Sequence, residues 1–519
     1  MELPDRYNLT THFVDRHIAE GRGEKTAIIC SEKNITFVQV AEHVNRVGNG
    51  LRELGIQEEQ RILLLLPDGP EFVAAYFGSI KIGAVPVPTN TALHSSDYAY
   101  FLDESRARAL IVDSSLYSRV EPALAGRRYL RHVIMTGEPH SNHLAWGKWI
   151  ATFSPELEAA PTSKDDVAFW LWTSGSTGRP KAAVHMQHDW HYCCEYYARG
   201  VLNIEEDDIT FSSSKLFHAY GLGNALLFPF HVGATTVLHP DRPKASAILQ
   251  IAQETKTTLF FSVPTLYAAM LQETDHRNPY DLHSVRLAVS AAEPLPGDVF
   301  RKWKERFGTE ILDGIGSTEV LHIYLSARPG KVKPGSTGQP VPGYEIRIID
   351  EAGRDVPLDT TGDLVVHGES TAPYYWNRHK LSAERMRGEW FFSGDKFWRD
   401  ADGYFWYAGR SDDMFRVSGQ WVSPIEVESA LIEHPAVLEA AVVAYEEESR
   451  IHTAKAFVVL KQDAVGSEAL ARELQEFVKK SIAPYKYPRR IEFCDELPKT
   501  AAGKLLRHLL RDAKRGAVR

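Results

Sequence analysis

The stretch Arg61-Ile-Leu-Leu-Leu-Leu-Pro-Asp-Gly-Pro70-Glu-Phe-Val-Ala-Ala-Tyr-Phe-Gly-Ser-Ile-Lys-Ile-Gly-Ala-Val-Pro-Val87 reads as one βαβ unit. Its uninterrupted apolar run after Arg61 has the length of a strand buried on both faces, and Pro67-Asp68-Gly69-Pro70 forms a turn. An apolar-rich helix then runs through Ile82, and Ala84 to Val87 make a second short strand. The alternation recurs along the chain. A helix near Tyr98 to Arg108 precedes Ala109-Leu-Ile-Val-Asp113, and further apolar strands begin at His132, Val167 and Thr235. Thr258-Leu-Phe-Phe-Ser262 and Arg286-Leu-Ala-Val-Ser290 lead into helices from Pro264 and Pro296. Near-continuous apolar strands separated by helices imply parallel sheets covered on both faces, so the fold class is α/β.

Near Gly409 the character changes: Gly409-Arg-Ser-Asp-Asp-Met-Phe-Arg-Val-Ser-Gly419 is polar and flanked by glycine. Beyond it a helix from Pro424 to Glu433 precedes strands at Leu438 to Tyr445 and Ala454 to Leu460, with an amphipathic helix from Ser467 to Ile482 and a basic tail. The expected organisation is a large N-terminal domain, residues 1–411, of parallel and mixed sheets covered by helices, followed by a small mobile α+β domain, residues 412–519.

Composition sets the limits on partners. With 519 residues, 44% of them hydrophobic, the chain can bury more than one core, and a net charge of -9 gives no basic surface for a nucleic acid. The cysteines Cys30, Cys193, Cys194 and Cys494 have neither disulfide-framework density nor zinc-ligand spacing, which points to the cytosol. The first residues lack an apolar signal core, and no run approaches the roughly 18 apolar residues of a membrane span. The expectation is a soluble cytoplasmic protein, monomer or homodimer.

The most informative segment for chemistry is Thr173-Ser174-Gly175-Ser176-Thr177-Gly178-Arg-Pro-Lys181, after the apolar run Val-Ala-Phe-Trp-Leu-Trp. Glycines, hydroxyls and a lysine in so short a loop offer backbone N–H groups, hydroxyl donors and a cation to a polyphosphate. Arg179-Pro180 separate Gly178 from Lys181, so the segment is not a Walker A loop. A flexible linker has the same composition, and only context separates the two.

That context is a set of further motifs in order. Thr173 to Lys181 resembles the signature loop of the acyl-adenylate-forming superfamily, which holds acyl-CoA synthetases, adenylation domains and firefly-type luciferases. Asp313-Gly314-Ile315-Gly316-Ser317-Thr318-Glu319 is similar to that family's aromatic-Gly-x-Thr-Glu element, and Trp390-Phe-Phe-Ser-Gly-Asp395 to its Trp-x-x-Thr/Ser-Gly-Asp. Gly409-Arg-Ser-Asp-Asp413 resembles its hinge, and Pro498-Lys-Thr-Ala-Ala-Gly-Lys504 its terminal Pro-x-Thr-x-x-Gly-Lys.

The resemblance implies ATP, Mg2+ and coenzyme A as reactants and cofactor, and it implies roles. The loop residues would hold phosphates, with Ala292, Glu293, Pro294 and Asp313 to Ser317 completing the ATP site. Glu319 would ligate Mg2+, a cation that prefers hard oxygen donors, and Thr318 would bond the α-phosphate. Asp395, supported by Arg410, would accept the ribose hydroxyls. Lys504 would stabilise charge as the adenylate forms, and the small domain would then turn at Asp412 so that Ser418 and Gly419 line the pantetheine tunnel.

Lys215 to Asn224 (Lys-Leu-Phe-His-Ala-Tyr-Gly-Leu-Gly-Asn), Asp313 to Tyr324 and Arg416 to Glu428 are similar to the benzoate-CoA ligase branch. This implies an aryl acid, with His218, Ala219, Tyr220, Gly221, Ile315 and His322 lining its pocket. The departures are Ala182 where the family usually has glycine, Trp172 and Thr173 where benzoate ligases tend to carry tyrosine and serine, and His218 where another aromatic is more usual. Histidine there could bond a ring hydroxyl, or be a core histidine satisfied by a local partner. Other readings remain open: an enzyme loading a carrier-protein thiol, a ligase for an alicyclic or short-chain acid, a luciferase-like oxygenase, or a non-catalytic ATP-binding protein.

Overall fold

The computed structural model describes residues 2–138, 140, 143–173, 179–273, 280–410, 413–417, 420–446, 452–462, 464–499 and 505–512. The chain separates into two compact units: Met1–Ile346 with Val366–Phe392, and Arg347–Val365 with Ser393–Arg519. The boundary expected between residues 411 and 412 therefore falls inside the second unit.

In the first unit the βαβ reading at Arg61 holds. Strand Arg61–Leu65 leads through Gly69 into helix Pro70–Lys81, whose first residue is the proline, and returns as the parallel strand Val85–Pro88. Ala109–Asp113 and His132–Thr136 extend this parallel sheet on the other side of Arg61–Leu65. The helix is buried on almost every face, as its apolar composition requires.

A second sheet has nine strands. Its centre is parallel: Thr26–Cys30, Thr235–Leu238, Ile209–Ser212, Leu259–Ser262, Leu287–Ser290 and Ile311–Gly316 lie side by side in that order. Antiparallel strands close both edges, Lys33–Thr36 at one and Ile323–Ser326 with Gln339–Pro340 at the other. One expectation is corrected here. Val167–Thr173 does not join a parallel sheet but pairs antiparallel with Lys181–Met186 in a separate ribbon, because the loop between them brings the chain straight back. Cys193 and Cys194 are fully buried in helical turns, as packing residues.

In the second unit, Trp390–Arg399 pairs with Phe405–Arg410, and Val437–Glu446 pairs antiparallel with His452–Leu460. Strand Arg490–Phe493 joins the latter in parallel. Helices Pro424–Ile432 and Glu468–Ser481 start at Ser423 and Ser467, whose side chains accept from the N–H three residues on. Val422, Leu431, Val442, Val458, Leu474 and Val478 form one apolar core. Among the described residues, no helix is long and apolar enough to cross a membrane.

Candidate active site

Open α/β sheets bind ligands beyond the carboxyl ends of their parallel strands. In the nine-stranded sheet those ends carry Ser212, Ser262 and Ser290, with Asp313 registered opposite Ser290. Ser213 Oγ lies 2.8 Å from Ser262 Oγ, and the Tyr220 hydroxyl donates to the carbonyls of Ser262 (3.2 Å) and Val289 (3.1 Å). The short helix Ala219–Leu222 is thereby fastened across the ends of neighbouring strands.

Ala292, Glu293 and Pro294 form the turn after Leu287–Ser290. Ala292 has φ 75°, a left-handed conformation that costs a residue with a side chain and tends to concentrate at functional sites. Asp313 is buried, and burial pushes its carboxyl well above the usual carboxylate range. Its Oδ1 has no hydrogen-bond partner among the described residues. Gly314, Ile315 and Gly316 complete that strand, and Ser317 caps the next turn, its hydroxyl accepting from Val320 N at 3.2 Å.

This turn, Thr318–Val320, carries Glu319 into the interior, 7% exposed. Glu319 Oε1 accepts the Tyr375 hydroxyl at 2.6 Å and lies 3.3 Å from Lys181 Nζ. The Lys181 ammonium also sits 3.8 Å from the centre of the Tyr375 ring. The last residue of the phosphate-type loop and the expected metal ligand, 138 positions apart in the chain, are therefore adjacent in the fold. Thr173 pairs with Lys181 across the ribbon, so the loop's two ends are clamped. Ser174, Gly175, Ser176, Thr177 and Gly178 lie outside the described residues. A second clamp comes from Tyr374–Trp376: Val184 N donates to Tyr374 O (3.2 Å) and Trp376 N to Ala182 O (3.0 Å). Ala182 is buried in a regular strand without positive φ, so its methyl is packing.

Behind the turn, His185 bridges Asp189 and the chain: its Nδ1 is 2.7 Å from Asp189 Oδ2 and its Nε2 2.8 Å from the Thr318 carbonyl. His185 and Asp189 are fully buried. Sequence reasoning missed Tyr375, His185 and Asp189. The four-residue spacing of His185 and Asp189 was the one available signal for that pair, while nothing in the sequence around Tyr375 marks it.

The acid-pocket candidates divide. His322 is buried against Phe228 (ring centres 4.5 Å) and Tyr220 (5.5 Å), and burial holds it neutral, with a pKa of about 3. Gly223 makes the room, since a Cβ there would stand 2.6 Å from His322 Cδ2. Gly221 is likewise a close-approach residue, where a Cβ would meet the Lys215 carbonyl at 2.2 Å. Ala219 is buried and Ile315 half-buried. His218 is the exception. It is exposed at the start of helix Ala219–Leu222, its ring meets Phe217 at 4.5 Å, and its side chain has no hydrogen-bond partner among the described residues. Desolvation nonetheless lowers its pKa to about 4. The reading of His218 as a locally satisfied core histidine fails, because at the helix start its ring is not packed among partners.

In the second unit, Asp395 stands directly opposite Arg410 and pairs with it at 3.0 Å, while Arg410 Nη1 also donates to Ser393 O at 3.2 Å. Lys504 lies outside the described residues, as do Asp412, Ser418 and Gly419. The ends of the Lys504 loop are described: Lys499 bridges Leu505, and Leu506 N donates to Pro498 O at 2.8 Å. Arg507 is held by both oxygens of Glu428, at 2.7 and 2.5 Å, and Arg511 by Asp413 at 2.6 Å. These two arginines anchor the segment that follows the Lys504 loop.

Residues 15–376 match the family model described as AMP-binding enzyme, and residues 426–504 match its C-terminal domain. The chain belongs to the AMP-binding enzyme family and is an AMP-forming acid–thiol ligase resembling the benzoate–CoA ligases. It is 48% identical to a benzoate–CoA ligase of Thauera aromatica, over 99% of this chain and 97% of that one. It is 43% identical to a 4-hydroxybenzoate–CoA/benzoate–CoA ligase of Rhodopseudomonas palustris, over 100% and 96%. Among solved structures, an anthranilate CoA ligase in complex with anthranoyl-AMP superposes with a TM-score of 0.94 at 41% identity, covering 99% of both chains. A benzoate CoA ligase from Burkholderia xenovorans LB400 gives 0.90 at 44%, covering 97% of this chain and 100% of that one.

Proposed function

We propose that this enzyme activates a benzoate-like aryl acid with ATP, forming an acyl-adenylate and pyrophosphate, and then transfers the acyl group to the thiol of coenzyme A with release of AMP. The observation that carries the reading is the approach of Lys181 to Glu319 beside Tyr375. Carboxylate attack on the α-phosphorus needs charge neutralised on a triphosphate, and here a lysine ammonium and a buried carboxylate stand within one ion pair of each other.

Glu319 offers the hard oxygen donor that Mg2+ takes, and its Oε1 is already oriented by Tyr375, so the residues fit that ion. When bound with ATP, Mg2+ would neutralise phosphate charge. Lys181, paired to Glu319, turns to the phosphates, and Thr318 bonds the α-phosphate from the turn held by His185. Asp395, oriented by Arg410, accepts the ribose hydroxyls. Lys504 stabilises the charge developing in adenylation, and the region from Asp412 swings so that Ser418 and Gly419 face the pantetheine.

His218 reads the ring of the acid. Open and unpartnered, it favours substrates with a hydroxyl or amino substituent within reach. The test is His218→Phe assayed on benzoate, hydroxybenzoates and aminobenzoates. A loss of about tenfold or more in kcat/KM confined to a substituted acid fits a lost hydrogen bond. Equal change on every acid removes the specificity role.

A further inference from the structure

Among the described residues a second group of side chains stands apart from the adenylation machinery. His12, His191 and His231 each present a ring nitrogen, all within 4.8 Å of one another. His12 Nε2 is 3.1 Å from His231 Nδ1, a separation close to that of two nitrogens sharing a small metal ion about 2.0–2.1 Å from each. His231 Nε2 lies 2.9 Å from Glu195 Oε1. A carboxylate there fixes the proton on Nε2 and turns the Nδ1 lone pair toward His12, the arrangement by which carboxylates orient metal-binding imidazoles. His191 is buried and its Nδ1 has no hydrogen-bond partner among the described residues. The Tyr7 ring meets both His12 and His191, and its buried hydroxyl also has no hydrogen-bond partner among the described residues.

His17, on the next turn, shows what a structural histidine looks like in this region: its Nε2 bonds the Phe230 carbonyl and its Nδ1 accepts from Arg22. In the trio, His12 and His231 face each other and His231 is bonded to Glu195, while His191 Nδ1 has no hydrogen-bond partner among the described residues. His12 lies on the π-helical turn Thr11–Asp15, and the helices that carry His191 and His231 adjoin the π-helical turns Cys194–Arg199 and Gly223–Leu227, a distortion frequent at functional sites. Arg16 opposes a cation and Glu195 favours one.

We propose that His12, His191 and His231 form a binding site for a borderline divalent transition metal such as Zn2+, with Glu195 orienting His231. Imidazole donors select this class over Mg2+, so the site does not compete for the ion of adenylation. Its position gives it a purpose. Helix Asp189–Cys193 carries Asp189, which holds His185 and the Thr318 turn, then Trp190, which meets His322, and then His191. A metal at His191 ties the helix that backs both the phosphate turn and the acid pocket to the N-terminal segment and to helix Phe228–Val232.

The test is titration of chelator-stripped full-length protein with Co2+ as the spectroscopic stand-in and Zn2+ as its competitor, in wild type, His12→Gln and Glu195→Gln. One Co2+ per chain is expected, with the visible bands of nitrogen and oxygen ligation, no thiolate charge-transfer absorption, and full displacement by Zn2+. Glu195→Gln weakens binding by about 10–100-fold, the usual effect of losing an orienting carboxylate, and His12→Gln by at least as much. The absence of a stoichiometric site in wild type overturns the proposal even if a variant fails to fold. So does a thiolate spectrum, or binding unchanged in both variants.

Discussion

At the residue scale, the account turns on which groups touch the reacting phosphates and which only position them. Tyr375 belongs to the second kind. Tyr375→Phe removes the hydroxyl bonded to Glu319 while keeping the ring under Lys181. The expected outcome is an apparent Mg2+ requirement raised by about tenfold or more, with less change in KM for the acid, read from initial rates across a Mg2+ titration. An unchanged Mg2+ dependence would remove Tyr375 from the site. Legibility was uneven here. Glu319 and Lys181 could be singled out in the sequence because each falls in a short motif that resembles one of the family's. Tyr375 could not, because its role depends on a contact with a residue 56 positions away, and no local spacing encodes that.

At the scale of elements, the segments around the Lys504 loop are held by buried charge. Arg507 meets a Glu428 whose carboxyl is raised by burial and drawn back by Arg507 and the Val442 N–H. Arg507→Ala strands that carboxylate and is expected to destabilise the second unit by about 3–5 kcal/mol. Arg511→Ala, at a more exposed pair, should cost about 1 kcal/mol or less. Chemical denaturation of both variants, followed by a probe in the C-terminal region, gives the comparison, and equal losses would contradict the ranking. The helices and strands here follow the apolar periodicity closely, for instance Glu468–Ser481 with Leu474 and Val478 inward. Val167–Thr173 did not, since an apolar run alone does not say whether its partner is parallel or returns antiparallel through a loop.

For the whole molecule, pH probes the support behind the phosphate turn. Burial lowers the His188 pKa, but hydrogen bonding and attraction to Asp189, with the Lys164 carbonyl and Asp165, raise it overall to about 9. A histidine raised on folding contributes stability that is full below its unfolded pKa of about 6.5 and is lost as pH rises through about 9. Thermal stability is therefore expected to fall between those values in wild type, and the slope to flatten in His188→Gln. Two-unit organisation and the ligase chemistry were legible from the order of motifs along the chain. The His12, His191 and His231 cluster was not, because its members come from three distant segments with no ligand spacing between them.

The central claim is a two-step ligase, and the most direct measurement is a product analysis from ATP and benzoate, with and without coenzyme A, in wild type and Lys504→Ala. Wild type is expected to form bound benzoyl-adenylate and pyrophosphate without coenzyme A, and benzoyl-CoA with AMP when it is added. Lys504→Ala should lose adenylation by about 10²–10³-fold, the cost of removing one group that stabilises developing charge. Orthophosphate release, or pyrophosphate with no benzoyl-CoA on addition of coenzyme A, would contradict the account.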